Sequence, residues 1–160
     1  MSLIPIIAAG APPEGQPAPN FELLNATSST LRGLKDRARV VIIFAPAGHS
    51  LGIQGMKWNA QRQFFDGAGV AAGLAERDVV VVAVSDSKDS WAPGLKVARP
   101  AEGTAAAVRA VYGVGEGQFL AVLVGKDGEV KQVSAQPFTA PQLFAIIDAM
   151  PMRQQESKSR

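Results

Sequence analysis

The chain has 160 residues, of which 47% are hydrophobic and 19% charged, a size and composition suited to one globular domain. Its formal net charge of +2 is too small to indicate a surface that binds a nucleic acid backbone. The absence of cysteine excludes disulfides, thiolate metal ligands and a thiol nucleophile.

The first 20 residues are rich in Pro, Ala and Gly, which predicts an extended lead-in without regular structure. A short apolar run lies near the start, but no Lys or Arg precedes it and Pro5 interrupts it, so it makes a poor signal peptide. No stretch reaches the roughly 18 apolar residues of a membrane span. We therefore expect a soluble chain without membrane contact, either cytoplasmic or exported with its signal already removed.

The pattern of strands begins after this lead-in. Residues 21–24 and 30–31 flank a turn-prone segment and predict a small hairpin. Residues 40–44 and 79–84 are continuous runs rich in Val and Ile, which is typical of parallel strands buried on both faces. Residues 56–77 between them predict a helix that is loosened by three glycines.

A second helix and a hairpin are predicted next. Thr104 is suited to cap a helix that ends at Tyr112 and carries Val108 and Val111 on one face. The turn at residues 125–128 contains Asp-Gly, the pair that suits a tight turn between two antiparallel strands.

The C-terminal part predicts one more helix. Thr139 is suited to cap it, and its apolar side chains recur every three or four residues until Pro151 ends it. Residues 154–160 are polar and predict a frayed tail. We expect one domain over residues 21–153, between the lead-in and this tail.

The order of elements predicts an α/β fold of the thioredoxin-like, peroxiredoxin-like type. It is a three-layer sandwich with a mixed central sheet flanked by helices and with an N-terminal β-hairpin. A doubly wound nucleotide-binding fold is the alternative, but the late hairpin requires an antiparallel pair at that point. An exposed sheet edge could pair with a second copy, and the sequence leaves the oligomeric state open.

Two segments resemble known peroxiredoxin and TlpA-like proteins. Gly15-Gln-Pro-Ala-Pro-Asn-Phe21 is similar to the entry motif of these proteins, and Phe44-Ala-Pro46 to the end of their first core strand. In peroxiredoxins that strand leads to a reactive cysteine at the start of the next helix. The corresponding residues 49–54 contain none, so the resemblance implies the fold without the thiol chemistry.

The C-terminal half resembles the DUDES domain, a family of unknown function with a thioredoxin-like fold that occurs in small bacterial proteins and in vertebrate proteins of the equarin and sushi-repeat type. The similarity covers residues 34–156 and rests mainly on the Gly-Lys-Asp-Gly and Met-Pro-Met-Arg segments. It implies a fold and no reaction. The motif residues it singles out are Lys126, Asp127, Gly128, Asp148 and Arg153.

The loop that replaces the redox motif contains the first candidate site. His49 and Ser50 could form a base and a nucleophile, contact a ligand, or serve as polar loop residues. Gln54 follows at the predicted start of a helix, where it could donate to a ligand or remain solvated.

Asp86 and Asp89 follow a buried strand, where open α/β folds often place ligand contacts, although such residues also cap loop backbone. Trp91, together with Trp58, could anchor a partner if it is exposed. Gln118 stands where thioredoxin-fold proteins usually have a cis-proline. Arg153 is expected to clamp the tail through a carboxylate, with partner contact as the alternative.

These observations favour a redox-inactive domain that binds a protein, peptide or other ligand. A cysteine-independent enzyme that uses the His49/Ser50 loop or the Asp86/Asp89 loop is the alternative, and a peroxiredoxin-type oxidoreductase is disfavoured because there is no thiol. We expect no metal, because a lone histidine lacks the spacing of a metal site. We also expect no cofactor, and the small net charge predicts no nucleic acid partner.

Overall fold

The computed structural model describes residues 11–47, 52–86 and 91–158, and the architecture is that of these residues. They form a mixed six-stranded sheet in the order β1-β4-β3-β2-β5-β6, with five helices. The strands are β1 (Leu23–Leu24), β2 (Arg39–Phe44), β3 (Val79–Val84), β4 (Val97–Pro100), β5 (Leu120–Val124) and β6 (Val130–Ser134). The helices are α1 (Ile53–Phe65), α2 (Val70–Glu76), α3 (Ala105–Val111), α4 (Ala140–Asp148) and α5 (Pro151–Lys158). The predicted α/β fold class is confirmed.

Strand β2 lies in the middle of the sheet, and each of its six residues is buried. It pairs in parallel with β3 and antiparallel with β5, with Phe44 opposite Val84 on one side and Leu120 on the other. The hairpin of β5 and β6 follows the Asp-Gly prediction, and Gly128 at its turn has φ +81°, which a side chain would strain.

Alternate side chains of β2 enter two separate cores, because successive residues of a strand point to opposite faces. Val40, Ile42 and Phe44 pack with α3 and the N-terminal segment. Val41 and Ile43 pack with α1, α2 and α4. Burial on both faces explains why this strand is a continuous apolar run.

Each edge of the sheet is partly covered by the chain itself. The amide of Gly15 donates to the carbonyl of Val130, and the amide of Ala18 donates to the carbonyl of Gly128, so part of the predicted lead-in lies along β6. At the other edge β1 pairs with β4, and the amide of Leu23 donates to Ser29 across the predicted small hairpin. These contacts cover the start of β6 and the outer side of β1.

Two predicted elements differ in extent from the observed ones. The long helix is two helices, because the chain turns at Gly69 with φ +78° before α2 begins. The tail predicted as frayed is helical through Lys158, since Pro151 ends α4 but suits the first turn of a new helix.

Two further details differ from the pattern of the sequence. Strand β4 was not predicted, because it is short and contains Arg99 and Pro100. On α3, Val108 is buried as expected but Val111 is 59% exposed. Tyr112 takes the predicted core position instead, where its hydroxyl donates to the carbonyl of Pro19 and burial raises its pKa.

Candidate functional site

The carboxyl ends of the parallel strands β2 and β3 bring together residues from both sides of the sheet. We call this surface the strand-end face. Its described members are Ala45, Pro46, Ala47, Ile53, Gln54, Met56, Asp86, Arg109, Glu116, Gln118 and Phe119. Open α/β folds commonly bind ligands at this end of the sheet.

Ala45 and Phe119 form the centre of this face, because they continue from the register pair of Phe44 and Leu120. From one side of the sheet, the side-chain oxygen of Gln54 on α1 accepts from the amide of Phe119 at 2.9 Å. From the other side, Nη2 of Arg109 on α3 donates to the carbonyl of Ala45. Helices on opposite faces of the sheet thus meet at two neighbouring backbone groups.

Gln54 and Gln118 are both engaged by the chain itself. The first connects α1 to the start of β5, as described above. The side-chain oxygen of Gln118 accepts from the amide of Gly115 at 3.0 Å and closes its own loop. The structure therefore places both predicted binding residues on this face, with their amide oxygens used in support of the fold.

His49, Ser50 and Asp89 lie outside the described residues, so their predicted roles receive no structural account. Asp86 is described and is exposed directly after β3. It lies close enough to Arg109 to raise the pKa of that guanidinium, as Glu116 also does.

Arg109 is a buried cation that the sequence pattern did not single out. Its side chain is 3% exposed, and desolvation lowers its pKa by more than Asp86 and Glu116 raise it. Nη1 of this guanidinium is buried and has no hydrogen-bond partner among the described residues. An Arg on a short, Ala-rich helix carries no sequence signal of burial, because its depth depends on where α3 crosses the sheet.

Two exposed apolar side chains project from the first turns of α1 and were also missed. Ile53 is 71% exposed and Met56 is 67% exposed. Residues three apart on a helix are surface neighbours, so the pair forms one apolar patch beside Gln54. An exposed apolar patch can mark a contact surface, whereas single exposed apolar side chains are common.

The two tryptophans pack against each other, Trp58 from α1 and Trp91 from the segment before β4. Trp58 is buried, and its ring meets that of Trp91 edge to face with centroids 5.5 Å apart. The guanidinium of Arg62 lies over the half-buried Trp91 at 5.8 Å from the ring centroid. Trp58 therefore serves the core, while Trp91 borders a groove with Asn59, Gln63, Asp66 and Pro93.

The residues of the family motif lie at the opposite end of the sheet. Nζ of Lys126 is 2.8 Å from Oδ2 of Asp78 and 3.1 Å from Oε2 of Glu156. The carboxylate of Glu156 also receives two hydrogen bonds from Arg39, whose side chain is 1% exposed. The hydrogen bonds from Arg39, and to a smaller extent the one from Lys126, lower the pKa of Glu156 to about 2.

Arg153 anchors the start of α5 to the same end. Its Nε donates to Oδ1 of Asp148 at 3.3 Å, and its terminal nitrogens donate to the side chain and the carbonyl of Glu76. Arg77 donates to both oxygens of Asp148 and holds the pKa of that carboxyl below its usual range. We call this network, including the pairs of Lys126 and Arg39, the tail clamp.

The remaining motif residues shape the hairpin turn. Asp127 accepts from the amide of Glu129 and from Lys131, and these bonds lower its pKa despite partial burial. Gly128 supplies the positive φ noted above. Within the described residues there is no group of three potential metal ligands, and no helix is both long and apolar enough to cross a membrane.

The chain has a thioredoxin-like fold, similar to that of solved peroxiredoxins, and no thiol is available because it has no cysteine. More particularly, a family model matches residues 30–156, and the chain belongs to that family, a domain of unknown function named DUF4174. The match does not confirm the DUDES name. No curated protein matches the sequence.

Solved structures show the same fold at low sequence identity. The reduced 2-Cys peroxiredoxin of Plasmodium vivax is 19% identical, with 90% of this chain and 84% of that chain covered and a TM-score of 0.61. Thioredoxin peroxidase I of Plasmodium yoelii is 16% identical, with 92% and 95% covered and a TM-score of 0.62. A protein described as the thiol:disulfide interchange protein DsbE of Chlorobium tepidum is 19% identical, with 86% and 99% covered and a TM-score of 0.57.

Proposed function

We propose that this chain is a redox-inactive thioredoxin-like module that binds an extended segment of a partner protein at its strand-end face. The observation that carries the proposal is the exposed pair of Ile53 and Met56 at the start of α1. The chain keeps the fold of the peroxiredoxins to which it is similar, and it lacks the thiol that their chemistry needs. Binding is the function that such a surface can perform without the thiol.

A polypeptide is the occupant that this surface fits best. The two apolar side chains lie in the first turns of α1, on either side of Gln54 in the sequence, and Gln54 connects the helix to the backbone of Phe119. Apolar anchors beside polar backbone match a segment with alternating side chains and amide groups. Part of each sheet edge is covered by the chain itself, which restricts strand addition there.

The test is selection from a library of random peptides displayed on phage, followed by measurement of the dissociation constant of the strongest peptide by fluorescence anisotropy. The Ile53→Ser, Met56→Ser variant is expected to bind at least about tenfold more weakly, because each lost anchor removes apolar burial. The matched control is Val111→Ser, Met152→Ser, which removes two exposed apolar side chains elsewhere. Equal affinity of the wild type and both variants would place the binding surface elsewhere and overturn the proposal.

A further inference from the structure

Arg109 differs from the two other buried arginines in the described part of the chain. Arg39 hydrogen-bonds to the carboxylate of Glu156, and Arg153 hydrogen-bonds to those of Asp148 and Glu76. Within the described residues Arg109 donates to a neutral acceptor, the carbonyl of Ala45, and its Nη1 has no acceptor. Nε of Arg39 also lacks an acceptor there, but Arg39 has a carboxylate partner and Arg109 has none. A buried guanidinium with an unfilled donor is unfavourable, because desolvation is offset only by hydrogen bonds and opposite charge.

The nearby carboxylates do not complete this site. Asp86 and Glu116 are exposed and favour the charged guanidinium through space, and no ion pair joins either of them to Arg109 in the structure as described. Desolvation exceeds their combined effect, so the positive charge is only partly compensated. Among the described residues, no carboxylate hydrogen-bonds to Arg109.

We infer that Arg109 binds a carboxylate of the ligand, with Nη1 donating to one of its oxygens. The inference deepens the proposed binding function and rests on it, because Arg109 bonds to Ala45 while Gln54, which follows Ile53 in α1, bonds to the neighbouring backbone of Phe119. Nη1 of Arg109 is buried, so binding requires the surrounding side chains to move.

The probe is sodium acetate, titrated into the full chain at constant ionic strength while the side-chain guanidinium signals are followed by NMR. A saturable shift of the Arg109 signal is expected with acetate, and none with the neutral isostere acetamide or with chloride. Arg109→Lys should weaken acetate binding about tenfold, because lysine lacks the planar donor fork. A shift equal in acetate and chloride, or no saturable shift at all, would overturn the inference.

A second variant tests the inference without altering the buried arginine. Asp86→Asn, Glu116→Gln removes two exposed negative charges, so acetate should bind several-fold more tightly if it approaches Arg109. Unchanged or weaker binding would contradict a carboxylate at this position. Two larger probes distinguish the source of the carboxylate, with N-acetylglycine representing a chain terminus and the amide of N-acetylaspartate representing an acidic side chain.

The two proposals can fail separately. Loss of peptide affinity in the Ile53→Ser, Met56→Ser variant with no acetate effect would leave the binding module without this subsite. An acetate site without any selected peptide would indicate a small-molecule carboxylate ligand and overturn the peptide proposal alone.

Discussion

Nη2 of Arg39 and Oε2 of Glu156 lie 2.8 Å apart, joining the first residue of the central strand to the C-terminal helix. The arginine is buried and the glutamate is mostly buried, with 20% of its side chain exposed. Lys126 shares the same carboxylate. A segment that the sequence predicts as a frayed tail is thereby part of the folded domain, because it supplies the counter-charge of a buried cation.

Glu156→Gln is therefore expected to destabilise the domain by about 2 kcal/mol, because it leaves the guanidinium of Arg39 buried with a neutral partner. Urea unfolding followed by circular dichroism measures the change. Glu102→Gln is the matched control, because Glu102 pairs with Arg99 at 3.5 Å while remaining 76% exposed, and we expect it to cost less than about 1 kcal/mol. Equal losses in the two variants would contradict the role of the tail clamp.

The same carboxylate predicts how stability depends on pH. The pKa of Glu156 is about 2 in the folded chain, below its usual value of 4.5, mainly because Arg39 donates hydrogen bonds to it. A depressed folded pKa contributes stability that is present above pH 4.5 and is lost as pH falls through about 2. This carboxyl should account for about 2–3 kcal/mol of the decline. Urea unfolding at several pH values should show a shallower decline for Glu156→Gln than for wild type.

Gln61, on the other face of the sheet, is expected to contribute to the free energy of unfolding through its buried side chain. Its side chain is fully buried on α1, and its amide donates to the carbonyl of Phe138 at 2.9 Å while accepting from the amide of the same residue at 2.7 Å. Gln61→Met would leave both backbone groups buried and unpaired, at a cost of about 2–4 kcal/mol in the free energy of unfolding. Gln63→Met, exposed on the same helix, should change it by less than about 0.5 kcal/mol. Similar midpoints in a urea titration would refute this role.

Substitution of Gly73 on α2 by alanine is expected to change stability in the direction opposite to that indicated by helix propensity. An alanine would ordinarily stabilise a helix interior by about 1 kcal/mol over glycine. Here the added Cβ would meet Cζ of Phe144 at 2.7 Å, and Arg77 stacks on that ring at 4.0 Å. We expect Gly73→Ala to destabilise the domain by about 1 kcal/mol, since the ring cannot shift without losing this contact.

A double-mutant cycle with Phe144→Leu checks the cause. The smaller side chain should make Gly73→Ala neutral or stabilising, which gives a coupling energy of about 1 kcal/mol or more from thermal or urea unfolding. Additive effects would show that the Phe144 ring does not restrict this position.

The sequence alone determined the class of fold, because apolar runs, turn residues and caps are local signals. The continuous runs that became β2 and β3 indicated strands buried on both faces, and the Asp-Gly turn indicated the late hairpin. The cap at Thr139 also follows from local chemistry, and its hydroxyl accepts from the amide of Gln142. The lack of cysteine by itself excluded thiol chemistry, since no folding can supply a side chain that the chain does not contain.

Only the tertiary structure decided which polar residues are buried and which apolar ones are exposed. The sequence singled out Lys126, Asp148 and Arg153, yet Arg39 and Glu156 join them only because α5 folds back against the start of β2. The sequence also did not indicate that Arg109 is buried or that Ile53 and Met56 are exposed. The burial and partners of a charged side chain depend on elements distant along the chain, so they become defined only when those elements pack.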